Sequence, residues 1–212
     1  MANSNGAFGL RPYSKVGQNT NSTGMTEYRI ASDNSNVIYT GSPVIPLATG
    51  FIDIVGGANG GTVGLLGAFN GCEYVSSTTG EVVFSKHWPG SGADSNHPVR
   101  AFVFDDPLQQ FIIASDASLT NESTARGHIF ANAQFSSGTS GSTSTGKSSA
   151  ALAVSTIANT AAHNLRIMGI VDDVENADFA ASGIGVIVRL NNHYNSPNGA
   201  VAAGTVSTTG LA

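Results

Sequence analysis

The feature that most constrains this chain is a succession of short β-branched and aromatic runs, each cut off by turn residues. Between residues 25 and 116 the runs are Tyr28-Arg29-Ile30, Val37-Ile38-Tyr39, Phe51-Ile52-Asp53-Ile54-Val55, Thr62-Val63-Gly64-Leu65-Leu66, Glu81-Val82-Val83-Phe84, Arg100-Ala101-Phe102-Val103-Phe104 and Gln110-Phe111-Ile112-Ile113. Gly-Ser-Pro, Gly-Gly, Thr-Gly and Asp-Pro breakers separate them. Such runs read as strands, because branched and ring side chains pack well on a pleated surface while Gly and Pro end a run. No long helical pattern intervenes, which argues against alternating βαβ units. The prediction is an all-β fold, a β-barrel or jelly-roll-like β-sandwich of many short antiparallel strands with at most one or two short helices.

The rest of the chain divides less cleanly. Residues 117–127 fit one short helix, with Ser118 or Thr120 as cap and Glu122 in its first turn. His128-Ile129-Phe130-Ala131 then reads as a strand, and residues 136–149, almost all Ser, Thr and Gly, as an exposed loop. The Ala-rich stretch 150–162 is ambiguous, and strands return at 165–171 and 183–190. Residues 1–24 are rich in Asn, Gly and Ser around a small apolar cluster, Phe8, Leu10, Pro12 and Tyr13. They read as an extended N-terminal arm, the alternative being a frayed terminus. A β-rich domain then spans 25–212, with a division into two subdomains near 115–127 left open.

Composition narrows the function. With 212 residues the chain can bury a core without disulfides or structural metal, and Cys72 is its one cysteine. Only 11% of residues are charged, while Ser and Thr number 43 and Gly 26. A surface of small neutral groups can pack against neighbours without desolvating many charges, which predicts large permanent contacts. Net charge is −5, and the nine basic residues are scattered singly. No stripe exists to neutralise a run of phosphates, so direct nucleic-acid binding is not expected. No segment has the length and apolarity of a membrane span or an export signal, which predicts a soluble protein made in a reducing cytoplasm.

One motif invites an enzymatic reading. Gly141-Ser142-Thr143-Ser144-Thr145-Gly146-Lys147-Ser148 satisfies the P-loop pattern, and Ile167-Met168-Gly169-Ile170-Val171-Asp172 resembles the apolar strand whose terminal Asp holds Mg²⁺ in nucleoside triphosphatases. A P-loop must join a buried parallel strand to a helix N-terminus. Here it lies in a Ser/Thr/Gly tract, and only 24 residues separate Lys147 from Asp172. The five histidines, His87, His97, His128, His163 and His193, show no spacing that sets two imidazoles on one metal, and each reads as a turn or surface residue. Asp105-Asp106 and Asp172-Asp173 read as turn formers before they read as acid–base pairs. The expectation is no catalytic residue, no cofactor and no metal.

Met1-Ala2-Asn3-Ser4-Asn5-Gly6-Ala7-Phe8-Gly9-Leu10-Arg11-Pro12 resembles the opening of small head proteins of tailed bacteriophages. Gly41-Ser42-Pro43-Val44-Ile45, Gly71-Cys72-Glu73-Tyr74, His87-Trp88-Pro89-Gly90, Arg100–Pro107, Leu165–Gly169 and Asn192-His193 resemble that group in the same order. The group is the capsid decoration, or cement, proteins. The resemblance implies a β-rich virion structural protein, commonly a homotrimer, that binds the major capsid protein where capsomers meet on the outer head surface. No catalytic residue carries over. The candidate contacts are Phe8, Leu10, Arg11, Pro12 and Tyr13 in the arm, with His193 and Tyr194. Rival readings are a receptor- or glycan-binding head-fibre or tail module, then the major capsid protein itself, then the P-loop NTPase.

Overall fold

The computed structural model describes residues 3, 6–16, 24–55 and 64–196. In chain order the strands are β1 (Arg11–Lys15), β2 (Thr26–Ile30), β3 (Pro43–Pro46), β4 (Ile52–Ile54), β5 (Gly67–Val75), β6 (Val82–Ser85), β7 (Val99–Phe104) and β8 (Gln109–Ala114). A helix, α1 (Glu122–Gly127), is followed by β9 (Asn132–Ser136), β10 (Gly141–Ser142), β11 (Lys147–Ser148), β12 (Ala151–Ala158), β13 (Leu165–Ile170), a 3₁₀ turn at Val174–Asn176 and β14 (Gly185–Leu190). The fold is all-β and sandwich-like rather than a closed barrel. One six-stranded sheet runs β1-β8-β14-β13-β9-β12, the second runs β2-β7-β5-β3-β4 with β6 beside β5, and every pairing between these strands is antiparallel. Among the described residues no helix is long and apolar enough to cross a membrane.

Alternation sets which faces are buried. Along β14, Val186, Val188 and Leu190 point into the core, while Ile187 and Arg189 take the other face. The larger core joins both sheets: Leu10, Val55, Leu65, Ala68 and Phe104 pack with Phe111, Ile113, Leu152, Leu165 and the β14 residues. It therefore crosses any division of the chain at 115–127. A second cluster fills the space around Trp88, whose indole N–H donates to the Asn34 carbonyl at 3.0 Å and whose ring meets Tyr74 edge-on.

Several local expectations are corrected. Val37–Tyr39 makes only one isolated bridge, Ile38 to Trp88, because the chain turns at Gly41 and Ser42. In the expected strand 62–66, residues 62 and 63 lie outside the described residues, and Leu65 makes one bridge, to His193. The long strand instead starts at Gly67 and carries a bulge between Phe69 and Gly71, which lets Asn70 and Gly71 sit inside a strand whose text looks broken. Asn121, not Ser118 or Thr120, caps α1, its side-chain oxygen accepting from Thr124 N at 2.8 Å. Residues 128–131 form turns, since His128 and Ile129 N–H still bond back to carbonyls of α1. Residues 141–148 are not an open loop but the β10–β11 hairpin, and the Ala-rich stretch 150–162 holds β12.

The arm segment 6–16 crosses the turn at residues 39–42 through two glycines. Gly9 sits at φ +76° and Gly41 at φ +84°. A Cβ on Gly9 would lie 2.5 Å from the Gly41 carbonyl oxygen, and one on Gly41 would lie 2.9 Å from that of Phe8. The backbones bond there, Leu10 N–H to Gly41 O at 2.8 Å and Gly9 N–H to Ala150 O at 3.1 Å, after which β1 pairs with β8. Gly41→Ala is therefore expected to cost about 2–4 kcal/mol, from a left-handed backbone plus a steric shift. Urea unfolding followed by tryptophan fluorescence should show a lower midpoint at an unchanged slope.

Candidate interaction surface

The crossing leaves a groove beside β1 with walls from both sheets. Phe8, Leu10 and Pro12 come from the arm, Phe69 and Asn70 from β5, Phe104 from β7, and Thr40 and Gly41 from the turn, with Arg11 and Lys147 completing the lining. It encloses about 180 Å³. The hairpin β10–β11 brings Lys147 there: Thr40 N–H donates to Gly146 O, Ser148 N–H to Thr40 O, and Tyr39 packs against Gly141. Residues 141–148 thus fold as a strand–turn–strand element that continues towards β12, and no helix follows them. The strand-to-helix geometry that makes a P-loop cradle phosphate is not formed.

The cations of the groove have no carboxylate partner among the described residues. Lys15 pairs with Asp106, Arg29 with Glu27, Arg100 with Glu27 and Glu73, and Arg126 with Glu122. Arg11 instead lies over the Phe8 ring, 5.0 Å from its centroid. Among the described residues neither Arg11 nor Lys147 makes an ion pair. Lys86, also exposed and outside the ion pairs among the described residues, is anchored next to the groove by its carbonyl, which accepts from the Thr40 hydroxyl.

The arm residues singled out from the sequence separate by role. Leu10 is 2% exposed and belongs to the core, so it anchors the arm rather than meeting a partner. Phe8 and Pro12 are half-buried in the groove wall, Arg11 is exposed at its rim, and Tyr13, 47% exposed, points outward from β1. Two further exposed apolar side chains lie near the arm or the groove lining. Leu108 follows from the bond of Val16 N–H to its carbonyl, and the Met25 sulfur accepts from Asn70 Nδ2. The sequence reading missed Phe69, Asn70, Phe104, Thr40 and Lys147. Their convergence is set by tertiary crossing, and Lys147, a lone cation in a neutral tract, was the only local signal.

His193 and Tyr194 do not join the groove. Leu65 N–H bonds to Asn192 O and Tyr194 N–H to Leu65 O, so the chain after β14 is stitched to the strand-less stretch before β5. His193 is 1% exposed, contrary to the expectation of a turn or surface residue. Its Nδ1 accepts from Asn195 N–H at 3.0 Å, and its buried Nε2 has no hydrogen-bond partner among the described residues. Burial pushes its pKa from 6.5 down to about 4; Asp105 and Asp106 oppose that shift and Arg189 adds to it. Asp105 is held by Thr26 and Tyr28, and burial first, then the Asp105 bond, pushes the Tyr28 hydroxyl up to about 12. Asp106 turns the chain by accepting from Leu108 N–H. Among the described residues no group of three His, Cys, Asp or Glu side chains could hold a metal ion.

No protein-family model, curated protein or solved structure matches this chain.

The buried imidazole has a measurable consequence. Its pKa is lower folded than unfolded, so the unfolded chain binds the proton first as pH falls. The stabilisation is complete above pH 6.5 and is lost as pH drops towards 4, in total about 3 kcal/mol from one group. Urea midpoints measured across that window should fall for the native chain, and His193→Gln should flatten the dependence.

Proposed function

We propose that this chain is a virion structural protein that binds the outer surface of a tailed-phage head at capsomer junctions and stabilises it. The major capsid protein is its partner, and it acts as a self-associating unit, a homotrimer, without catalytic chemistry. The observation that carries the reading is the β1 edge. There an arm is locked into the fold, yet it leaves Tyr13 exposed, and Leu108, whose carbonyl accepts from Val16 N–H at the end of the same edge, is exposed as well. Such a face can be covered permanently at little desolvation cost, and apolar burial at roughly 25 cal/mol per Å² then favours the contact. Repetition over a shell multiplies contacts that are individually modest. The resemblance of residues 1–12 and of the later segments to decoration proteins supports the same reading.

The receptor- or glycan-binding alternative needs aromatic rings free for sugar stacking. Trp88, the one tryptophan, is fully buried in the second core cluster, whereas Tyr13, Phe84 and Phe130 are exposed; binding of glycans by the purified chain, with no occupancy on heads, is the outcome that favours this alternative.

Purified chain added to expanded heads that lack it should appear in cryo-electron microscopy as extra density at three-fold or quasi-three-fold positions. Tyr13→Ser combined with Leu108→Ser, which removes about 2 kcal/mol of contact, should lower affinity for heads at least tenfold without unfolding the chain. Binding to host cells or glycans with no occupancy on heads would refute the reading.

A further inference from the structure

The six strands of the first sheet hold four cations, Arg11, Lys15, Arg166 and Arg189, and no Asp or Glu, although the chain as a whole is acidic. Lys15 is paired with Asp106 from the turn between β7 and β8, and Arg11 lies over Phe8. Arg166 and Arg189 remain, and they stand opposite each other, since Arg166 of β13 is in register with Arg189 of β14. Side chains directly opposite on neighbouring strands leave the same face with Cβ atoms about 5 Å apart, where two like charges destabilise a sheet. Among the described residues neither guanidinium has a carboxylate partner.

The chain's own groups leave this pair unsatisfied. Arg166 Nε donates to Asn132 Oδ1 at 3.1 Å, and among the described residues its two terminal NH2 groups have no acceptor. Arg189 is half-buried, and its buried Nε has no hydrogen-bond partner among the described residues. Burial first, then the charge of Arg166, lowers the Arg189 pKa. Neutral amides continue the row on both sides, Asn132 beside Arg166 and Gln110 beside Arg189. The Gln110 side-chain oxygen accepts from the Ser14 hydroxyl, so its NH2 is a further donor in the row. Two more buried nitrogens without a partner among the described residues fall at the same end of these strands, His163 Nδ1 just before β13 and His193 Nε2 just after β14.

A row of donors with two positive charges and no acceptor fits an anion, and the donor count says which. The two oxygens of a carboxylate are satisfied by the fork of a single guanidinium. A phosphate group brings at least three acceptor oxygens and about two negative charges near neutral pH, so it accepts from both forks and offsets both charges. One pair of arginines matches one such group rather than a run of them.

We propose that Arg166 and Arg189 hold one phosphate group between them, on the face of the first sheet turned away from the core, with Asn132 and Gln110 at its sides. The site goes beyond the proposed function and stands whether or not the chain binds heads.

Isothermal titration calorimetry of the full chain with inorganic phosphate, in a phosphate-free buffer of constant ionic strength, tests it. One phosphate per chain should bind with a Kd of about 1 mM or tighter, and Arg166→Gln and Arg189→Gln should each weaken binding by about tenfold or more. Arg29→Gln, whose arginine faces Glu27 in the second sheet, should bind as the unaltered chain does. An unchanged far-ultraviolet circular dichroism spectrum shows that the variants fold. A second readout needs no variant: in ¹H–¹⁵N spectra of the unaltered chain, phosphate should move the Nε–H signals of Arg166 and Arg189 and leave those of Arg29 and Arg100 in place. Glycerol phosphate in a parallel titration separates the sources, since tighter binding of the free ion assigns free phosphate and tighter binding of the ester assigns a phosphorylated ligand. No saturable binding, shifts spread evenly over all arginines, acetate binding as tightly as phosphate, or binding that survives both substitutions would each overturn the proposal.

Discussion

The interaction on which the rest of this structure depends is the close crossing of two backbones at Gly9 and Gly41. It is possible only because both residues lack a Cβ and both accept a positive φ. From it follow the burial of Leu10 in the core shared by the two sheets, the pairing of β1 with β8, and the position of Phe8 and Pro12 in the groove wall. The same turn receives the β10–β11 hairpin through Thr40, so Lys147 reaches the groove by way of the residues next to Gly41. A single point of contact between an N-terminal arm, a turn of the second sheet and a distant hairpin thereby assembles the surface.

Electrostatics in this chain are sparse, and that makes the exceptions informative. The chain has nine basic and 14 acidic residues. Lys15, Arg29, Arg100 and Arg126 take up the ion pairs of lysine and arginine among the described residues, and Arg11 and Lys147 at the groove stand outside them with Lys86, Arg166 and Arg189. In the interior the balance is struck differently. His193 sits buried where the chain after β14 meets the stretch before β5, and its neutral form is favoured because charging it there would desolvate a cation. The junction between the sheets is thus held by backbone bonds and a neutral ring, which ties its stability to pH without a salt bridge.

The sheet content was legible because alternation and turn residues are local signals. β2, β4, β6, β7, β8, β13 and β14 fall on runs that stand out in the text. β5 was not legible, since Asn70, Gly71 and Glu73 interrupt its apolar pattern and only a bulge, set by pairing with β7, restores the register. β12 was hidden because alanines carry little strand preference; Leu152 enters the shared core, while Ala151 and Ala153, on the opposite face of the strand, are also covered. For the surface, Phe8, Arg11, Pro12 and Tyr13 could be singled out as an apolar cluster with a cation. Leu10 looked the same in the text and proved to be an anchor, because burial is decided by what crosses above a residue. Phe130 was hidden inside an expected strand, where a left-handed backbone has no sequence signature beyond the end of a helix.

Amide hydrogen exchange at Leu10 tests the central claim most directly, because its N–H is bonded to the Gly41 carbonyl at the crossing. If that crossing holds the arm in the fold, the Leu10 amide will exchange as slowly as the core amides of β8 and will lose protection together with them as urea is added. Exchange at the rate of an unstructured peptide, while β8 stays protected, would show that the arm is not held there and would contradict the structure of the groove itself.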